Sequence, residues 1–235
     1  MMDASMSREM VRPPVRRATA SLRTPFPTRD GAGLFSGCPE FVGTPLAYAR
    51  EEEIFGDGEE AESVYRVVHG AVRTHKILSD GRRQVTGFHL PGDLFGFEQA
   101  ETHRHTAEAL SGTRVLIFKR RQIERIAAVR AEVACQLWSL AKRSLRHAQD
   151  HMLLLGRRSA QERVAAFLLD VDARMGGTGT FDLPMPRRDI ADYLGLTIET
   201  VSRTFSQLEG EGALQRSGGR QVCLHHDRMH RLVED

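Results

Sequence analysis

The sequence predicts an α+β fold in three parts: an antiparallel β-barrel or jelly roll, a long helix, and a helix-turn-helix closed by a β-hairpin. Three observations predict it. Short β-prone runs separated by glycines fill residues 34–119. No Gly or Pro occurs between Gln122 and Leu155. From Arg187 a helical stretch, a Gly turn, a second helical stretch and a Gly-Gly hairpin follow one another.

Composition narrows the class. The chain has 235 residues, 40% hydrophobic and 27% charged, which is ordinary for a globular protein. A net charge of +2 is too small to decide the partner, so the distribution of charge has to. Cys38, Cys135 and Cys223 lie far apart, with no CxxC pair and no Cys/His spacing suited to zinc. That pattern fits a reducing compartment, and a cytoplasmic protein is expected. No apolar run approaches membrane-spanning length, so no membrane contact is expected. Residues 1–33 differ: Arg8, Arg12, Arg16, Arg17, Arg23 and Arg29 stand among Pro, Ser and Thr with no apolar stretch. A disordered basic tail is expected there, an organellar transit peptide being the alternative.

Within the first folded part, SVYRVVH (Ser63–His69), AVRTHKIL (residues 71–78), VTGFHL (residues 85–90) and VLIFK (residues 115–119) read as strands. Ser79-Asp80-Gly81-Arg82 reads as a hairpin turn. Evenly spaced short strands of this kind close into a barrel or jelly roll. His103 and His105 flank Arg104 and read as solvated loop residues.

Residues 122–156 read as one helix. Val133, Leu137, Leu140, Ala141, Ser144, Ala148, Met152 and Leu155 recur at helical spacing. At ~1.5 Å per residue such a helix spans about 40–50 Å, which suits a dimer seam. Packing against its own barrel is the alternative, and both can hold on different faces. His147 and His151, one turn apart, suit two metal ligands by spacing; a polar patch near the seam is the simpler reading.

After a helical stretch at residues 160–173, a Gly-rich loop at 176–179 and an extended piece at 181–185, the most informative segment begins. It is RRDIADYLGLTIETVSRTFSQLEGEG, residues 187–212. The first helix, Arg187–Leu194, ends at Gly195, a natural left-handed cap. Thr197 is a natural N-cap for the second, residues 198–209. The unit is a helix-turn-helix. Val201, Phe205 and Leu208 share one face of the second helix and should pack on Ile190, Ala191 and Leu194. Glu199, Ser202, Arg203 and Ser206 share the opposite face. Arg can donate two hydrogen bonds to guanine, Glu can accept from cytosine and Ser can add a contact to either kind of base edge. The first turns of a recognition helix reach the groove floor. Glu199, Ser202 and Arg203 are therefore assigned to bases. Taken singly, Glu199 is also a favourable carboxylate at a helix N-terminus, and Arg203 also its surface partner, worth only about 0.3–0.5 kcal/mol. The hairpin at residues 213–224 places Arg216 and Arg220 beside a Ser-Gly-Gly tip. They are assigned to the DNA backbone, with Thr197, Thr200 and Ser206. Cys223 falls on the second hairpin strand and is a candidate redox site by its closeness to the reading helix, a buried structural thiol being the alternative.

The run LGLTIETVSRTFSQLE (residues 194–209) closely resembles the Crp/Fnr transcription regulators, and within them the Fnr and FixK branches, whose signature is the Glu-x-x-Ser-Arg set. HMLLLGRRSAQERVAAFLL (residues 151–169) and LPGDLFGFE (residues 90–98) resemble the same branch. The resemblance covers about residue 34 to the C-terminus. It implies a cyclic-nucleotide-binding-type β-roll acting as a sensor-like domain at 34–121, a dimerisation helix at 122–156 and a winged helix-turn-helix at 157–235. It implies a homodimer on double-stranded DNA, at a palindrome of the TTGAT-N4-ATCAA type, with Arg203 and Glu199 on its G·C pair and Ser202 on a neighbouring thymine. It implies activation through RNA polymerase in a bacterium adapting to low oxygen.

Departures from the family bear on the signal. Cyclic-nucleotide binders place a ribose-binding Glu after the GDLFG-like turn; here Phe97 stands there and Glu98 is displaced by one. Their phosphate-binding Arg-Ser or Arg-Thr pair is matched by His105-Thr106, and a neutral His replaces a bidentate Arg poorly. Oxygen-sensing members hold a [4Fe–4S] cluster on four thiolates, whereas Cys38 stands alone near the N-terminus and Cys135 falls on the helix. The pattern matches the FixK branch, whose members commonly act without a cofactor, so none is expected. A ligand- or haem-gated regulator is the alternative. A cupin-like metalloenzyme is a distant one, lacking the spaced His and Glu ligands in its strands.

Overall fold

The computed structural model describes residues 41–97, 101–157 and 159–233; the basic tail, Cys38 and Glu98 lie outside them. Eight strands come first: β1 (Thr44–Tyr48), β2 (Glu53–Phe55), β3 (Ser63–His69), β4 (Val72–Ile77), β5 (Arg83–His89), β6 (Leu94–Phe95), β7 (Thr106–Ala109) and β8 (Thr113–Lys119). They form two four-stranded antiparallel sheets, ordered β1-β8-β3-β6 and β2-β7-β4-β5. Val67, Val72, Val115, Ala107 and Phe95 fill the space between them. The Asp-Gly turn joins β4 to β5: Leu78 N–H donates to the Arg82 carbonyl at 2.8 Å, and Gly81 takes φ 81°. Pro45, which cannot donate to a ladder, sits in β1 at a sheet edge.

His103 departs from expectation. It is only 2% exposed and stacks on Phe55 at 3.6 Å between centroids, its backbone N–H donating to the Glu59 carbonyl. His105 is half-buried in the bend just before β7. His103 is therefore a buried residue rather than a solvated one, covered by Phe55 of the distant β2.

The single helix expected over 122–156 is two: α1 (Arg120–Val129) and α2 (Ala131–Arg157), broken where Arg130 turns extended at φ −121°, ψ 103°. The break lets Ile123 of α1 and Val133 of α2 bury together against Val64 and Phe118 of the β-roll. The expected dimer seam therefore has to be corrected. Val133 is fully buried on its own roll and Leu137 packs beside it. Leu140, Ser144, His147 and His151 continue that stripe and line a cavity between α2, the roll and the C-terminal unit. The outward stripe lies one residue round the helix: Ala134, Trp138, Ala141 and Leu145, spaced four and three, and it runs on to Ala148 and Met152 at the cavity rim, while Leu155 is half-buried beside Gly195. Trp138, Leu145 and Met152 on it are 67%, 62% and 71% exposed. Of the expected seam residues, Val133 and Leu137 are covered by the chain's own roll and Leu140, Ser144, Ala148 and Met152 border the cavity, whereas the exposed Trp138 and Leu145 lie outside the expected set.

The remainder is α3 (Ala160–Arg174), β9 (Thr180–Asp182), α4 (Arg187–Leu194), α5 (Ile198–Gly210), β10 (Leu214–Ser217), β11 (Gln221–Leu224) and α6 (His226–Arg231). A capping box starts α3, Ser159 and Glu162 exchanging side-chain bonds with each other's backbone. β9 adds to the β10–β11 hairpin as a third strand. This unit and the roll share one core. Ala71, Val85, Phe88 and Leu90 pack with Val164, Leu168, Ile190, Leu194 and Phe205. Phe88 lies 5.8 Å from Phe167 and 5.1 Å from Tyr193, centroid to centroid.

Because Phe88 bridges the two halves, Phe88→Ala is expected to cost about 3–5 kcal/mol of unfolding free energy. Chemical denaturation checks this; a loss below about 1 kcal/mol would mean that the halves do not depend on a common core.

Candidate nucleic-acid interface

Local chemistry places the reading helix. Gly195 takes φ 63°, ψ 39° and ends α4, its N–H returning to the Ala191 carbonyl. Thr197 then adopts an extended conformation, and its hydroxyl accepts from the Thr200 N–H at 3.2 Å. Two residues thus turn the chain from one helix into the next. Val201, Phe205 and Leu208 are fully buried, as are Ile190 and Leu194 opposite them. With that face anchored, Glu199, Ser202, Arg203 and Ser206 stand exposed on the other.

The exposed set has definite hydrogen-bonding character. The Ser202 hydroxyl donates to the Ile198 carbonyl at 2.8 Å, which leaves its lone pairs facing outward as acceptors. Ser206 donates in the same way to Ser202. The Glu199 carboxyl is held below the usual range, first by its own backbone N–H at the helix start and then by the Thr197 hydroxyl, with Arg203 adding its charge. It is therefore an ionised acceptor at neutral pH. Thr200 is half-buried, its hydroxyl 3.1 Å from that of Thr197.

The wing departs from expectation in one respect. Gly218 and Gly219, at φ 59° and 46°, make its tip, and Arg220 is exposed beside it. Arg216, also assigned to phosphate, is instead forked onto Glu209 at the end of α5. Its Nε donates to Oε1 at 2.7 Å and a terminal nitrogen donates to Oε2. The Arg187 guanidinium stands nearby, 3.4 Å from the Phe205 ring centroid, and burial followed by the Arg216 charge pushes it down to about 10. Sequence reasoning missed this group, since Glu209 and Arg216 belong to different elements and each reads alone as a surface charge. Cys223 is half-buried in β11, between Gln215 of β10 and Thr180 of β9.

The second feature is the cavity behind α2, about 1120 Å³. Its walls include Arg66, Thr74, His89, Arg143, His147, His151 and Tyr193. The Tyr193 hydroxyl pairs with His147 Nε2 at 3.2 Å, and the His151 ring stacks on Tyr193 at 4.1 Å. These two histidines therefore face the cavity rather than forming a patch at the seam. Desolvation pushes His89 down to about 4, against the pull of Asp93. The Thr106 hydroxyl accepts from the Asp57 N–H, and Phe97 is 42% exposed. No cluster of three or more His, Cys, Asp or Glu among the described residues is placed to hold a metal ion. No helix among them is long and apolar enough to cross a membrane.

Comparison with known proteins agrees with this anatomy. A Crp-like helix-turn-helix domain matches residues 162–232, and a cyclic nucleotide-binding domain matches residues 45–128. The chain is 50% identical over 188 residues to the nitrogen fixation regulation protein FixK of Azorhizobium caulinodans, spanning 78% of this chain and 76% of that one. It is 44% identical over 194 residues to FixK of Rhizobium meliloti, spanning 83% and 87%. The solved structure of FixK2 from Bradyrhizobium japonicum superposes with a TM-score of 0.78 at 54% identity, covering 81% of this chain and 97% of that one. The chain belongs to the Crp/Fnr family of transcription regulators, in its FixK-like branch. It is a DNA-binding regulator and not an enzyme.

Since Glu209 occupies Arg216, Glu209→Gln should release that arginine to phosphate. The plot of log binding constant against log salt is expected to steepen by up to about 0.9 for each half-site bound. An unchanged slope in a salt titration would mean that Arg216 does not reach the backbone even when free.

Proposed function

We propose that this regulator binds as a homodimer to a TTGAT-N4-ATCAA-type palindrome and activates genes of low-oxygen metabolism through contacts with RNA polymerase, without a cofactor. The observation that carries the reading is the division of α5: three fully buried apolar residues on one side, Glu199, Ser202 and Arg203 exposed on the other. Arg203 donates to guanine, the ionised Glu199 accepts from cytosine N4, and Ser202 meets the neighbouring thymine. Thr197, Thr200, Ser206 and Arg220 hold the backbone, joined by Arg216 once Glu209 releases it. The homodimer draws support from the outward stripe of α2, whose seven-residue repeat with large side chains at Trp138, Leu145 and Met152 suits a two-stranded coiled coil. The activating output draws on relatives described as transcriptional activators, and the promoter class and physiological setting draw on the resemblance of residues 194–209 to the Fnr and FixK branches.

A ligand-gated reading rests on the cavity behind α2. Selection from random DNA with the purified, effector-free protein separates the two: recovery of the palindrome supports cofactor-free binding, and recovery only after a small molecule is added supports gating. In the same selection Arg203→Ala should lose about 1–3 kcal/mol of preference at the G·C position and spare the other positions. Undiminished preference there would remove Arg203 from base reading. Leu145→Glu, which puts a charge into the repeat, is expected to give a monomer by sedimentation and to abolish palindrome binding. A dimer that survives the change would place the interface elsewhere.

A further inference from the structure

We infer that the ion cluster joining β4 and β5 to α4 fixes the spacing between the two reading helices, which makes Arg73, Arg83, Asp189 and Asp192 determinants of half-site spacing; this rests on the homodimer–palindrome reading. Asp189 is almost wholly buried, with a side chain 1% exposed. Its Oδ2 accepts from Arg73 at 2.6 Å, and its Oδ1 accepts from Arg83. Arg83 reaches on to Asp192, one turn along α4, through Nε at 2.9 Å and a terminal nitrogen at 2.7 Å. Gln84 donates to the Asp192 carbonyl at 2.7 Å, and Arg73 is itself steadied by Glu108 at 2.9 Å. The two arginines stand on adjacent paired strands, and the two aspartates stand three residues apart on one helix face.

The geometry has a mechanical meaning. The outward stripe of α2 joins the two rolls, and each reading unit follows its α2 across a short connection. Apolar packing around Phe88 holds roll and unit together but has little directionality. Guanidinium forks are directional, so they fix the rotation of α4 against the roll. Through Gly195, α4 carries α5 with it. A DNA spacer longer by one base pair shifts the far half-site by about 3.4 Å along the axis and by roughly a tenth of a turn. Only a unit held in rotation as well as position rejects such a change. None of the four residues lies on the exposed face of α5, so half-site base preference is left alone.

The test uses the full chain and palindromes with identical half-sites and spacers of four base pairs, or one or two fewer or more. The parent is expected to lose about tenfold or more on a change of one base pair, the order of a single mismatch. Arg83→Gln and Asp192→Asn, both partly exposed and so milder than a change at Asp189, are expected to bind the four-base-pair site within about threefold of the parent while spacer discrimination falls below about threefold. If one of the two fails to fold by thermal melting, the other carries the test. Arg203→Ala should lose base preference yet keep the parent's spacer preference, and Phe88→Leu should keep both. Variants that retain the parent's spacer discrimination overturn the inference, as does Phe88→Leu losing it. A parent indifferent to spacing, or binding one half-site as well as two, overturns the homodimer–palindrome reading instead, and the inference falls with it.

Discussion

Phe88 leaves the β-roll and enters the core of the reading unit, in contact with Phe167 and Tyr193. The rest of the molecule depends on that intrusion. Because the core is shared, α3, α4 and α5 have a fixed floor, and the buried side of α5 has something rigid to press against. The exposed side is then held by default: with Val201, Phe205 and Leu208 immobilised, Glu199, Ser202 and Arg203 have one direction left to face. The chemistry offered to DNA is a consequence of packing on the far side of the same helix.

The helix α2 serves two masters with one periodicity. Its inward stripe starts on the roll at Val133 and runs along the cavity wall to His151, while its outward stripe starts one residue later and is exposed from Ala134 to Leu145 before it reaches the cavity rim at Ala148 and Met152. Arg130 makes this workable. By breaking the helix it turns Ile123 and Val133 into the same pocket, so α2 leaves the roll at an angle set by apolar contact rather than by continuing α1.

What was legible in the sequence follows the range of the interactions concerned. The bounds of α4 and the start of α5 rest on Gly195 and Thr197, whose effects are local, and they could be read directly. So could β3 and the Asp-Gly turn. The two stripes of α2 could not be separated, because apolar residues at helical spacing look alike whichever wall they face. The break at Arg130 carries no Gly or Pro to mark it. His103 lies in a polar run, and the rings that bury it, Phe55 and Tyr65, are distant in sequence. Asp189 and Asp192 look like a solvated face until β4 and β5 bring two arginines to them; the tie between Glu209 and Arg216 was hidden for the same reason. Charge pairs across elements are long-range facts, and a single sequence does not record them.

The clasp of Glu209 on Arg216 also bears on how long the protein takes to find its site. Residence on random DNA grows with every phosphate a free cation can neutralise. An arginine already engaged by a carboxylate shortens each stay on a wrong sequence, and more of the search time goes to sampling new ones. In the proposed binding mode, the base contacts would press the backbone close at the right sequence, and the same arginine would exchange its carboxylate for a phosphate. A surface ion pair of little worth to stability thus trades grip for speed.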